Sequence, residues 1–336
     1  QNGWTLIQDM IADGFVTFDY KDSLVVLRPK LFHYKNSANT KDKEHDFDRI
    51  KIKSVPSSAQ KRESNAVLNI KSKEMKTMGV QSFVLSDSQN VWCEPFKQKV
   101  VMKQNRDMDF DGIMTAGLLR FTGQNFHFSY QDYNVVMDTI DYVDFYIYER
   151  EVITEEESEE YAGFFKKSRL SDESGNPSKV TVPIRNQLRD TKGVLLIDIS
   201  TNKSGKMASA KNMPSFDCLD TAYVYFERQN RMNKYQDKIY NSEGFYYQVF
   251  PFILDKLDKY DPQKLSFRGR FYSADIFPVV MEPLKVMFLD LSFGFETETP
   301  GNNGYPIYLK EDPSKGKGTF TGLFGMSNQG LIGRGK

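Results

Sequence analysis

The chain has little cysteine, little histidine and no long apolar run, and each shortage excludes something. Of 336 residues only two are cysteines, Cys93 and Cys218, so no disulfide framework exists. One bridge between them and two separate buried thiols both stay open, and the settings VWCEPF and PSFDCLD suit buried thiols. The three histidines, His33, His45 and His127, stand at no metal-ligand spacing from one another or from a cysteine. No apolar run approaches the roughly eighteen residues that a membrane helix needs. An excess charge is also missing: 45 basic and 45 acidic side chains give a formal net charge of zero. No global field therefore draws the chain to nucleic acid or anionic lipid. The opening residues QNGWTLIQDM lack an initiator Met, a basic n-region and an apolar h-region, so this stretch shows no signal peptide. With the Gly-rich GLIGRGK at the other end, the expectation is a part of a longer polypeptide.

Aromatic residues are abundant, at 14% with 26 Phe and 18 Tyr, which suits pleated surfaces better than helical bundles. The stretch from Asp107 to Tyr148 shows the pattern most clearly. Met108 and Phe110 alternate with Asp107, Asp109 and Asp111, and Phe126, Phe128 and Tyr130 with Asn125, His127 and Ser129. Phe145 and Ile147 then alternate with Asp144, Tyr146 and Tyr148. A period of two places one set on each face of a sheet, so half-buried antiparallel strands are expected, punctuated by Gly112, Gly117 and Gly123. The predicted class is mainly β, with antiparallel sheets in a sandwich or an elongated stacked array. Without βαβ alternation, a parallel nucleotide-binding sheet is not expected.

In chain order, Trp4, Ile7, Met10 and Ile11 suggest a helical turn or two, followed by strand-like FVTFDY and LVVL. Polar loops interrupt at 36–46 and 56–65, and strands resume from Ala66, giving a β-rich unit over 1–150. Residues 151–179 read as a helical, polar connector. Thr154 is its N-cap, Glu157 sits at the reciprocal capping position, and Lys166 and Lys167 lie near the end of a helix over 154–168. A second β-rich unit spans 180–336, opening with VPIRNQLRDTKG as a short helix and closing in a Gly-rich tail of loops with at most short strands. Its aromatic runs at 244–252 and 284–295 hold few lysines or prolines. Strands like these are expected to be covered by the rest of the chain, by flanking sequence or by a partner.

An internal echo runs through these units. GLLRFTGQNFHFSYQDYNVVMDTID, after Phe110-Asp-Gly112, lies against GRFYSADIFPVVMEPLKVMFLD, after Phe267-Arg-Gly269, and a fainter copy begins at Gly14. Two readings stand side by side: stacked repeats, or the likeness of any alternating sequence to another.

Asp107, Asp109, Asp111 and Gly112 spell the start of a calcium loop, hard oxygens at every second position and a glycine for the turn. The twelfth position, however, is Leu118 rather than Glu, and a strand with an acidic solvated face gives the same pattern. Cys93 and His127 have the residue types of a nucleophilic pair and nothing further. NKSGK at 202–206 departs from a phosphate loop, with Ser200 for the upstream glycine and Met207 after Lys206. Asp138, Asp141 and Asp144 are among too many carboxylates for a paired acid to be singled out. Trp4, Trp92 and the tyrosines could form a sugar-stacking surface, although strand aromatics more often pack across strands or in cores.

At SDSQNV, DFDGIMTAGLLRFTGQNFHFSY, NKSG and LSFRGRFYSADIFP the chain resembles very large bacterial cell-envelope proteins built from repeated β segments. The resemblance is diffuse, covers most of the chain, and carries over no functional residue. It implies an envelope or extracellular, outer-membrane-associated location. The leading expectation is a non-enzymatic structural or protein-interaction segment of a larger protein, with other chains or flanking parts of the same polypeptide as partners. The alternative is a glycan- or calcium-binding module, and the third is a hydrolase with unidentified residues. An aromatic strip exposed on one sheet would favour the glycan reader, and a deep cleft with two close carboxylates the hydrolase.

Overall fold

Alternating sequence does become antiparallel sheet. The computed structural model describes residues 3–12, 14–28, 31, 35, 50–55, 64–148, 181–205, 208–226, 242–301, 304–307 and 318–336. The helix expected over 154–168, the connector 151–179, His33 and His45 lie outside the described residues. The apolar-periodic start forms the helix Gly3–Ala12. No described helix is long and apolar enough to cross a membrane.

A 16-stranded sheet dominates. Its main path runs Ile52–Ser54, Val80–Ser86, Val91–Pro95, Met108–Ala116, Leu119–Ser129, Asn134–Tyr148, Leu188–Leu196, Ala222–Tyr225, Phe245–Val249 and Gly269–Ser273. Spatial order follows chain order, so each strand pairs antiparallel with the one before it. Asn134–Tyr148 and Leu188–Leu196 are direct neighbours, with Asn134 opposite Leu196 and Val143 opposite Leu188. The two sequence units therefore meet in one ladder.

The alternation fixes which face is buried, and its breaks mark bulges. Leu119, Phe121, Gly123, Phe126 and Phe128 are buried, while Arg120, Thr122, His127 and Ser129 are half-exposed. Buried positions skip from 123 to 126 because Gln124 and Asn125 together oppose Asp111, one extra residue that restores the parity. Gly123 sits where the backbones come closest, since a Cβ there would lie 2.0 Å from the Thr139 carbonyl oxygen.

One turn recurs between strands. Asp19 to Ser23, Asn69 to Lys73 and Ser129 to Tyr133 each span five residues, and the last of each is left-handed, with φ of 54°, 57° and 56°. The first residue's side chain accepts a backbone N–H within the turn, Lys21 N to Asp19 Oδ1 at 2.8 Å and Lys71 N to Asn69 Oδ1 at 3.0 Å. Short polar side chains satisfy the turn locally, so FDYKDSL, LNIKSKE and FSYQDYN fold alike. The longer echo does not align in the same way: Phe110 and Gly112 share one strand, whereas Phe267 belongs to a five-stranded sheet and Gly269 to the large one.

That five-stranded sheet comprises Ser266–Phe267, Leu284–Met287, Ser292–Glu298, Gly322–Ser327 and Gly330–Gly335. It covers the apolar face of the large sheet through phenylalanines. Phe145 meets Phe293 at 5.1 Å and 90°, Phe271 meets Phe295 at 5.2 Å, and Phe145 meets Phe267 at 5.8 Å. The two Phe145 pairs are edge-to-face, and such pairs add about 0.5–1.5 kcal/mol each beyond the area they bury.

Two expectations change. VPIRNQLRDTKG is not a short helix: Thr181–Pro183 and Leu188–Leu196 are strands. A left-handed Asp190, φ 56°, resets the parity so that Leu188, Thr191, Gly193 and Leu195 all point inward. The Gly-rich tail holds a hairpin of two six-residue strands, Gly322–Ser327 and Gly330–Gly335. Its glycines permit close approach, as at Gly325, where a Cβ would lie 2.8 Å from the Phe295 carbonyl oxygen. The aromatic runs at 244–252 and 284–295 are covered by this chain itself. Phe245–Val249 has a neighbour on both sides, and so do Leu284–Met287 and Ser292–Glu298.

Because Leu188–Leu196 takes its long partner from the first half, residues 180–336 expressed alone should expose an unpaired strand edge and self-associate. Size-exclusion chromatography with light scattering checks this, and a stable monomer of the fragment would contradict it.

Candidate functional site

The large sheet has one face turned away from the phenylalanine core, and the sequence candidates distribute themselves about it. Asp107 precedes the Met108–Ala116 strand and is 7% exposed, with its Oδ1 accepting the Tyr130 N–H at 2.8 Å. Asp109 lies 2.6 Å from both Lys103 Nζ and His127 Nδ1. Asp111 accepts the Asn125 N–H of the bulge at 2.8 Å. Each carboxylate therefore has its own protein partner. Leu118, at the twelfth position of the calcium pattern, is buried at 3% exposure. Among the described residues no group of three or more His, Cys, Asp or Glu side chains is arranged to hold a metal. A groove of about 620 Å³ opens here, with Lys97, Lys99, Asp109, Asp111, Asn125 and His127 in its lining.

Burial tends to raise the Asp109 carboxyl, but hydrogen bonds and charge from Lys103 and His127 outweigh it and hold the pKa below the usual range. His127 also reaches Asp107, Nε2 to Oδ2 at 3.7 Å, and does not meet Cys93. Cys93 is fully buried on the opposite, apolar face, where burial pushes its thiol well above the ordinary value. Cys218 is buried too, and neither cysteine is bridged.

The first residues of NKSGK form a buried latch. Asp198, 3% exposed, accepts from Gln89 Nε2 and from Asn202 Nδ2, both at 2.9 Å. Lys203 turns inward, its ammonium 5.4 Å from the Tyr130 ring centroid. The hydroxyl of Tyr133 lies 3.0 Å from the carbonyl oxygens of Leu85 and Lys203, donating to one at a time. Gly205, φ 67°, packs on Ser88, where a Cβ would be 2.4 Å from the hydroxyl oxygen. SDSQNV and NKSG thus answer each other as two turns locked by polar side chains. Lys206 lies outside the described residues.

On the half-exposed face, strand register assembles a surface that the sequence does not single out. Thr122 pairs with Tyr142, Tyr142 with Arg189, Arg189 with Tyr223, Tyr223 with Gln248, and Gln248 with Arg270. A second row beside it pairs Tyr225 with Tyr246 and Tyr246 with Tyr272. Directly paired residues in an antiparallel ladder project to the same side, so these are continuous rows. Tyr246 and Tyr272 stack at 4.8 Å and 25°, and Tyr223 and Tyr225 at 6.1 Å and 12°. The Arg189 guanidinium lies 5.2 Å from the Tyr142 centroid and 5.6 Å from that of Tyr225. Tyr225 donates to Asp190 at 3.2 Å. Burial, then the negative charge of Asp190, pushes its phenol up to about 12. Burial, then Tyr272 and Tyr223, raises Tyr246 as well. These hydroxyls remain protonated donors at neutral pH.

Trp92 is half-buried, on the Val91–Pro95 strand, and Trp4 sits on the helix, 4.9 Å from Phe18. Neither belongs to the tyrosine rows. The signal for those rows is present in TAYVYF, where Ala222, Val224 and Phe226 are buried while Tyr223 and Tyr225 take the other parity. What no single strand reveals is that neighbouring strands align their tyrosines. Compared with family models, curated proteins and solved structures, the chain matches none.

The depressed Asp109 pKa stabilises the fold above the carboxyl's unfolded value, and that stabilisation disappears as pH falls through the folded value. Asp109→Asn should therefore lower the melting temperature at neutral pH, and the gap to wild type should close in acid. Thermal melts across pH check this. Calcium should shift neither protein, since each carboxylate is already engaged; a rise in wild type alone would assign a cation to the triplet.

Proposed function

We propose that this chain is a non-enzymatic β-sheet segment of a larger bacterial envelope or secreted protein, and that its open sheet face binds glycan. The observation that carries this reading is the pair of in-register rows, Tyr142-Arg189-Tyr223-Gln248-Arg270 and Tyr225-Tyr246-Tyr272, on the half-exposed side of the large sheet. A glycan presents many hydroxyls and few apolar patches. Its complement is a broad surface of phenol, amide and guanidinium donors rather than a deep apolar pocket.

Tyr142 is 39% exposed, so the rows open to solvent. At about 4.8 Å per strand, the steps from Tyr142 to Arg270 span roughly 19 Å, enough to follow several units of an extended chain. The ladder beneath fixes each side chain, so little conformational freedom is lost on binding. The envelope location is supported by the sequence resemblance. The structural role is supported by the ten-strand antiparallel path of the large sheet, which presents this face as one surface.

The test is affinity electrophoresis through gels containing soluble polysaccharides. Wild type should be retarded in at least one of them without shortening the polymer, and Tyr246→Ala with Tyr272→Ala should lower its affinity about ten-fold. These rings are half-exposed, and circular dichroism should show the fold kept. Equal retardation of the variant, or release of new chain ends, would contradict the proposal.

A further inference from the structure

Resting on the glycan reading of this face, we propose that its ligand is an anionic polysaccharide bearing carboxylate groups, anchored by Arg189 and Arg270 with Tyr223 and Gln248 between them. Three cations near the face are paired with carboxylates: Lys103 with Asp109, Arg120 with Glu94 and Lys192 with Asp220. Among the described residues, Arg189 and Arg270 have no ion-pair partner, and the row that holds them carries no carboxylate. Each guanidinium instead lies over a ring, Arg189 over Tyr142 and Tyr225, Arg270 over Phe250 at 5.4 Å. Stacking of this kind occupies the flat faces and leaves the N–H fork at the edge, the geometry that takes a carboxylate bidentately.

The tyrosines point the same way. Tyr246 and Tyr272 turn their flat faces to one another, so the surface presents ring edges and hydroxyls more than open π faces. It is thus better built for hydrogen bonding to an acidic, oxygen-rich chain than for flat stacking of a neutral sugar. Tyr225 already donates to a carboxylate, that of Asp190.

Three strand steps separate the two arginines, about 14 Å at the usual interstrand spacing. That exceeds the Debye length of about 8 Å at physiological salt, so they act as two anchor points rather than one concentrated charge. Two separated anchors favour a polymer with recurring charge, because the second contact forms at high effective concentration once the first is made. A single-stranded nucleic acid also engages aromatic and arginine side chains, but it needs exposed ring faces on which bases can stack. Here those faces meet each other.

The experiment measures binding of the full chain to polygalacturonate, to the same polymer methyl-esterified so that its carboxylates are neutral, and to a single-stranded oligonucleotide. Wild type should bind the free acid at least ten-fold more tightly than the ester, with the preference shrinking as salt rises. R189Q/R270Q should lose the preference while keeping the weak binding to the ester. R189K/R270K, which retains the charges without the forks, should keep part of it and serves if the glutamine variant does not fold. Equal affinity for acid and ester would overturn the acidic ligand while leaving the glycan reading intact. Binding to neither polymer would overturn the acidic ligand, and tighter binding to the oligonucleotide would overturn both readings. An undiminished preference in R189Q/R270Q would remove these arginines from the site.

Discussion

The large sheet depends on one constraint: alternate side chains leave its ladder on opposite faces, and the layer packed on it closes one of them. The Phe145, Phe267 and Phe293 contacts, with Phe271 and Phe295 beside them, make that closure. Burying each such ring contributes about 1.5–3 kcal/mol. The closure therefore decides which parity is core, and all else on the sheet takes the remaining parity. Tyr142, Arg189 and Tyr223 share a face because Val143, Leu188 and Val224 are committed to the other.

Bulges and polar turns keep that two-sided order over so long a sheet. A ladder that lost its parity at Gln124–Asn125 would turn Phe126 and Phe128 to solvent, and the bulge prevents it. At the strand ends, Asp198 and Tyr133 use buried hydrogen bonds to lock three turns together, which leaves the strands between them fixed in register. The rows of tyrosine and arginine are therefore a consequence of core packing as well as of their own chemistry. A change of one residue in any register would scatter them to both faces.

Much of this was legible in the sequence, because period two is a local property. The mainly β, antiparallel class, the strands within 107–148 and the N-terminal helix follow from short-range patterns. Other features depend on partners far along the chain. VPIRNQLRDTKG looks helical until Asp190 is seen to shift the phase, and GFYYQVFPF reads as one strand although Pro251, which has no N–H to give, divides it between two neighbours. The acidic triplet was visible as residues, but its engagement by Lys103, His127 and the bulge was not. The tyrosine rows were hardest to find, since each strand contributes only one or two and alignment is a property of register.

One continuous ladder crosses from the first half of the chain to the second. Hydrogen exchange measured by mass spectrometry tests it most directly, by following peptides from Asn134–Tyr148 and Leu188–Leu196 through increasing denaturant. Both should lose protection together, with one shared opening free energy, because they hydrogen-bond to each other over most of the shorter strand's length. Separate openings, one set for residues before 148 and another for those after 188, would contradict it.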